Sequence, residues 1–369
     1  MQVYTQSDDP LQRTIIADLS VQLKDVYPQG TIMVVVKPLY GIAEAGAYWW
    51  STYFKHHIEK LQMRTSTFDP CPLISTATGS GFGIVGIQTD DTLAEKKQYL
   101  NSSSQIDFNG CVLMIDNTNT IALRQKQQCV KLDIAQNQNS YIKQRARGAC
   151  IATICQPEAS FDLATVAQAG EPSKEEISRL NKRIIWQKEN LDCGLNYVQL
   201  NMEKLKLFTL VDASFPNNKD MSLQITKSST IRGNIVHWSS TKCKRVTRSV
   251  LASEIYAMAH GFDIAIAIGS TIDIMTERLN LPKTPIVIYI MALREAYKRG
   301  KLKDIMALRE AYKRGKLKDI RWIDGRGNLA DAMTKSTPNS AIATLIDTNK
   351  LTLRVQGWVN RTETKIQVT

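Results

Sequence analysis

Histidine is scarce in this chain, four in 369 residues, and the seven cysteines stand apart. Positions 71, 111, 129, 150, 155, 193 and 243 form no Cys-x-x-Cys pair. Zinc ligation, which draws on closely spaced Cys and His, is therefore not expected. An odd number of scattered thiols suits a reducing compartment better than a disulfide framework. No basic-then-apolar leader opens the sequence, and no uninterrupted apolar run approaches the ~18 residues a membrane span needs. The expectation is a cytoplasmic or nuclear protein with no secretion signal and no membrane partner.

Positive charge is what the chain has in excess. Lysine and arginine number 47 against 35 aspartates and glutamates, a formal charge of +12 with a pI near 9.3. Such a balance points to a polyanion, most often nucleic acid, although a merely solvated basic surface is the plainer reading. With 43% hydrophobic residues the chain is long enough for two or three domains with cores.

One segment is written twice. "IMALREAYKRGKLKD" fills Ile290–Asp304 and recurs unchanged over Ile305–Asp319. Each copy reads as a short amphipathic helix with Ile290, Leu293, Ala296 and Tyr297 on one face and Gly300 as its cap. Repeat architectures use longer units, about 20–50 residues, that have drifted apart. Identity at every position points instead to a recent duplication or an assembly error.

Along the chain, "TIMVVVK" after a Pro-Gln-Gly turn reads as a strand, and Ala43–Met63 as a helix. On that helix Trp50, Phe54, Ile58 and Leu61 form the more apolar stripe, and Trp49, Tyr53, His56 and Lys60 the other face. Gly81–Leu93 contains an apolar strand ending in two aspartates, and Asp107–Gln125 a hairpin turning across Asn117–Asn119. Cys129–Asn201 is mostly helical, with a capping box at Ser173 and Glu176. From Lys204 the predicted order is strand ("KLKLFTLVD"), a polar stretch, strand ("RGNIVHWSS"), helix ("TRSVLASEIYAMAHGFDIAIAI"), strand ("TPIVIYI"), the repeat helices, strand ("DIRWID") and a final helix opened by "NLADAMTK".

Three acids stand at element ends: Asp212 closing the first of these strands, Glu254 flanking the helix's apolar stripe, and Asp331 opening the last helix. Each alone is more often a solvated charge or a first-turn helix acid. Displayed together at one sheet rim, they could hold Mg²⁺, which takes hard oxygen ligands and needs neither Cys nor His.

"VDASF", "WSSTKCKRVTRSVLASEIYAM" and "RWIDGRGNLADAMTK" resemble the ribonuclease H domain of copia-type LTR retrotransposon Pol polyproteins (Pseudoviridae). "KPLYGIAEAGAYWW" is similar to the reverse-transcriptase motif that follows the first catalytic aspartate, and "QTDD" (Gln88–Asp91) to the family's "YVDD" box. The resemblance covers essentially the whole chain in the family's order. The long basic-and-serine segment is its most specific part, whereas "DD" alone is weak. It implies a mixed α/β fold: a truncated reverse-transcriptase palm and thumb-like region over residues 1–130, a helical connection over 131–203, and a ribonuclease H-like domain over 204–369 containing the duplication 290–319.

Residue by residue, the resemblance makes Asp90 and Asp91 the reverse-transcriptase pair, Asp90 being the firmer metal ligand. Asp212, Glu254 and Asp331 become the first, second and fourth acids of the ribonuclease H set. Lys37, Lys242, Lys244, Arg245 and Arg248 become the candidate nucleic-acid contacts, a solvated charged loop being the alternative for the basic run. Trp238 either stacks on a sugar or packs in the core, and packing is expected. The implied cofactor is Mg²⁺, the implied partner an RNA–DNA hybrid, DNA or RNA. The implied parent chemistry is RNA-directed DNA synthesis and cleavage of the hybrid's RNA strand.

The chain departs from the family in several places. The first reverse-transcriptase acid precedes a stretch like "QVYTQS" in the family, so this chain is expected to start just past it and to lack polymerisation. Gln88 replaces a tyrosine, and "AEKKQYL" stands where an apolar return strand is expected. "MSLQITKSS" is short and polar for a second strand. A "TDS" motif supplying the third ribonuclease H acid should follow "PIVIYI", yet the first repeat copy follows instead, and no aspartate comes before Asp304. The expectation is a defective reverse transcriptase/ribonuclease H fragment. A non-catalytic nucleic-acid-binding protein and an unstable pseudogene product are the alternatives.

Overall fold

The computed structural model describes residues 9–38, 42–66, 68–76, 83–88, 91–94, 105–213, 227–242, 250–290, 310 and 314–358. The chain is mixed α/β and divides into two units, Met1–Glu95 and Lys96–Thr369. Asp90, Lys244, Arg245, Arg248, Asp304 and almost all of the repeat lie outside the described residues.

In the first unit, β1 (Ile15–Asp18) pairs antiparallel with β2 (Ile32–Val35), with the short α1 (Val21–Lys24) between them. Helix α2 (Ala45–Glu59) precedes an antiparallel meander of β3 (Met63–Thr65), β4 (Pro72–Ser75), β5 (Ile84–Gln88) and β6 (Asp91–Ala94). The face of α2 that meets this sheet carries Trp49 and Tyr53 as well as Phe54 and Ile58, packed on buried Leu73 and Val85. Leu61, expected on the apolar stripe, lies beyond the helix and is 48% exposed. Ring stacking of Trp49 on Tyr53 and of Tyr53 on His57 continues that inner face, which explains its aromatic character. Strand β6 turns back on β5 with Asp91 opposite Gln88, and all of "AEKKQYL" beyond Ala94, where the lost return strand was expected, lies outside the described residues.

The second unit opens with a sheet ordered β10-β9-β8-β7, built from β7 (Gln105–Phe108), β8 (Cys111–Ile115), β9 (Ile121–Gln125) and β10 (Gly194–Tyr197). Helices α3 (Gln138–Ile154), α4 (Ser160–Val166) and α5 (Lys174–Glu189) lie between β9 and β10 in the chain. They enclose their own core around Tyr141, Leu163, Leu180 and Ile184. Both halves of the Ser173–Glu176 capping box are formed. No disulfide joins the six cysteines among the described residues.

The second sheet is ordered β11-β13-β14-β15-β12. Strands β11 (Leu207–Leu210), β13 (Ile286–Ile290) and β14 (Leu317–Ile323) are parallel, while β15 (Lys350–Trp358) runs antiparallel to β14 and to β12 (Lys227–Arg232). Every residue of β13 is buried, because both faces of this sheet are covered. On one face Ile286, Ile288 and Ile290 meet Met258, Phe262 and Ala265 of α6 (Val250–Arg278). On the other, Val287 and Tyr289 meet Ala341 and Leu345 of α7 (Ala341–Thr348).

Several predicted elements moved. "RGNIVHWSS" is not a strand; the strand is β12, upstream in the polar stretch, where pairing with β15 outweighs its composition. "NLADAMTK" begins a 3₁₀ turn, Leu329–Met333, capped by Asn328, and the α-helix comes later as α7. Within α6, Ala252–Arg278 is long and apolar enough by length and composition to cross a membrane, a stretch that a search for uninterrupted apolar runs misses. Its inward face is the one just described on β13.

Gly261 sets how closely α6 approaches the sheet. A Cβ there would overlap Val211 Cγ1 and lie 3.4 Å from Thr209 Cγ2. Gly261→Ala is expected to lower stability by about 1–3 kcal/mol through overpacking. Gly233→Ala, which meets open space, is expected to stay within about 0.5 kcal/mol of wild type. Urea-unfolding midpoints of the two variants test this.

Candidate functional site

The parallel strands deliver their carboxyl ends to one edge, which is where open parallel sheets place ligand-binding groups. At that edge the Val211 N–H still donates to Tyr289 O (3.1 Å), so the ladder ends just before Asp212. Asn328, itself fully buried, donates from Nδ2 to Val211 O (3.3 Å) and ties the loop after β14 to the end of β11. The 3₁₀ turn that follows carries Asp331.

Asp212, Glu254 and Asp331 come together here. Asp212 Oδ2 accepts from the Thr334 hydroxyl at 2.5 Å. Asp331, 4% exposed, accepts the Asn339 N–H on Oδ2 at 2.7 Å and pairs through Oδ1 with the Lys335 ammonium. Glu254 is 1% exposed and faces inward on α6 beside Met258. The Ala213 N–H donates to its carboxyl, but Oε2 has no hydrogen-bond partner. Burial, then the negative charge of Asp212, push the Glu254 carboxyl up to about 8, against weaker opposition from Ala213 and Lys335. The Lys335 amine is held above its ordinary value: burial opposes this, but the hydrogen bond and charge of Asp331, and the charges of Asp212 and Glu254, outweigh it.

Of the other sequence-predicted site residues, Asp91, Lys37 and Lys242 are among those described. Asp91 sits on β6 in the first unit, and Lys37 is exposed near β2 in the same unit. Lys242 is exposed two residues after Ser240, whose hydroxyl donates to Met333 O (2.6 Å). The segment bearing Lys242 is thereby anchored on the turn that carries Asp331. Trp238 packs among Leu195, Met333 and Ile342, and its Nε1–H donates to Ala152 O at 3.0 Å, so the packing expectation holds.

Lys335, Thr334, Asn328 and Asn339 were not singled out from the sequence. The spacing of Asp331 and Lys335 is the one available signal, since residues four apart can pair across a helical turn. A separate cleft of about 350 Å³ is lined by Glu158, Glu189, Asp192, Asp347 and Arg124 and contains no sequence-predicted site residue. Its Arg124 guanidinium is engaged by Leu195 O and Asn196 Oδ1.

Among the described residues no group of three or more His, Cys, Asp and Glu side chains is set to hold a metal ion. The donors at the acid corner fit Mg²⁺ in kind, being hard oxygens, and the unpartnered Oε2 of buried Glu254 is an acceptor that a cation would satisfy. No family model, no curated protein and no solved structure matches this chain.

The buried glutamate makes stability depend on pH. Below its ordinary value of 4.5 the carboxyl is protonated in both folded and unfolded chains; between 4.5 and about 8 only the unfolded chain ionises, so stability falls as pH rises. Every tenfold change in a carboxyl's proton affinity between the two states is worth about 1.4 kcal/mol. With chelator present, Glu254→Gln is expected to remove this slope. The variant should be more stable than wild type by about 2 kcal/mol or more at roughly pH 8.5, with no advantage at roughly pH 4. Urea titrations across the range measure it.

Proposed function

We propose that residues 204–369 are a ribonuclease H-like domain derived from a copia-type retrotransposon polyprotein, and that this copy binds RNA–DNA hybrid without cleaving it. The observation that carries the reading is the meeting of Asp212, Glu254 and Asp331 at the carboxyl edge of the parallel strands. They come from three separate segments and are the three acids named by the sequence resemblance. On this reading the first unit derives from the polymerase palm, with Asp91 on its last hairpin.

Asp212, Glu254 and Asp331 are the residues that would hold Mg²⁺, which when bound supplies Lewis-acid activation of water and charge neutralisation at a scissile phosphate. The chain's own contribution is to place three carboxylates and exclude water from Glu254. The third acid of the family's set has no counterpart after "PIVIYI", where the repeat begins. Loss of one ligand from such a site removes several kcal/mol of transition-state stabilisation, about 10³-fold or more in rate. The purified chain with Mg²⁺ is therefore expected to cut a labelled RNA–DNA hybrid no faster than its Asp212→Asn variant. Cleavage above that background overturns the silent part of the reading.

Binding without catalysis is supported by the anchoring of Lys242 beside the acid corner through Ser240 and Met333. Hybrid affinity is expected to fall steeply with added salt, and Lys242→Glu to lower the slope of log K against log salt by about 1. Affinity that ignores salt would remove the phosphate-backbone reading.

A further inference from the structure

Three carboxyl groups drawn together in a partly dry corner need positive charge nearby, or a proton, to remain there. A cation is already present within the chain. Lys335 follows Asp331 by one helical turn, and its backbone N–H donates to Asp331 O at 3.1 Å, which returns the side chain over the turn it came from. The ammonium lands on Asp331 Oδ1. It also feels the charges of Asp212 and Glu254, so its influence extends over the whole corner.

Among the described residues, the other groups hydrogen-bonded to the carboxylates are neutral donors: the Thr334 hydroxyl on Asp212, the Asn339 N–H on Asp331 and the Ala213 N–H on Glu254. Each leaves at least one lone pair free. Glu254 Oε2, buried and without a partner, marks a place in the corner where an acceptor waits for a cation. Lys335, unlike the carboxylate it pairs with, keeps 42% of its side chain exposed. The ammonium can therefore swing out to water at low cost, while Asp331, 6% exposed by the same measure, cannot follow it.

We propose that Lys335 is a tethered counter-cation of the acid corner, holding Asp331 beside Asp212 and Glu254 so that a divalent cation binds only by displacing it. This rests on the reading of the corner as a cation-binding site. It makes Lys335 a positioning and gating residue: its charge keeps the corner folded without metal and taxes metal binding by the same interaction. It also accounts for a donor set that suits Mg²⁺ in kind but is not arranged as a cage.

The test is direct binding to the full chain, with Mg²⁺ and Mn²⁺ as the probes and calorimetry and thermal melting as the readouts. Lys335→Met is expected to lower the melting temperature in chelator and to bind Mg²⁺ about tenfold or more tightly than wild type. The added cation should restore its melting temperature. Lys335→Arg, which keeps the charge, is expected to behave as wild type in both respects. If Lys335→Met does not fold in chelator or in Mg²⁺, Lys335→Gln, which keeps a donor for Asp331, carries the same comparison. Equal Mg²⁺ affinity of wild type and the neutral variant overturns the role of Lys335 and leaves the corner as a cation site. Weaker binding by the neutral variant also overturns it, since the lysine would then assist the metal. No divalent binding by either protein overturns this proposal and the metal reading together.

Discussion

Gly261 allows the backbone of α6 to settle onto Val211 and Thr209 at the end of β11, and the chemistry of the second unit follows from that approach. The same helix face carries Met258 into the core and, one turn earlier, Glu254. The glutamate is thus buried by the packing of its own helix, and its carboxyl arrives beside Asp212 because β11 ends there. Asn328 closes the arrangement from the other side by tying the loop after β14 to Val211. Hydrophobic packing positions these acids; electrostatics alone would drive them apart.

The cost of that convergence is met in three ways. Glu254 is held toward its protonated form by burial and by Asp212. Asp331 is paired with Lys335 and bonded by Asn339. Asp212 leans on a neutral hydroxyl. Buried ion pairs often contribute little net stability, but removing one partner is costly because the other charge remains.

Local chemistry wrote much of the fold legibly into the chain. The Ser173–Glu176 capping box and the strands on either side of the repeat are where their residues predict. The aspartate and asparagines of "IDNTNT" make their turn, with Asp116 accepting from Thr118 and Thr120. A further local signal stands outside the expectations above: Asn109 and Gly110, both at positive φ, turn β7 into β8, as an Asn-Gly pair between strands should. Strands β12 and β15 were not legible. Their side chains are mixed, and they are strands because each completes the hydrogen bonding of the other. On α2 the period of the helix was clear, but which stripe faced inward depended on the sheet it met.

The candidate site divides along the same line. By itself the sequence determined the identity of the three acids and the apolar periods of the elements that carry them, since those depend on residue type and spacing within short windows. Only the tertiary structure decided that Asp212, Glu254 and Asp331 share one corner, that Glu254 and Asp331 are buried there, and that Lys335 pairs with Asp331. Those outcomes depend on groups far apart in the chain whose charges, burial and hydrogen bonds act only once β11, α6 and the turn at Leu329–Met333 have been brought to the same edge.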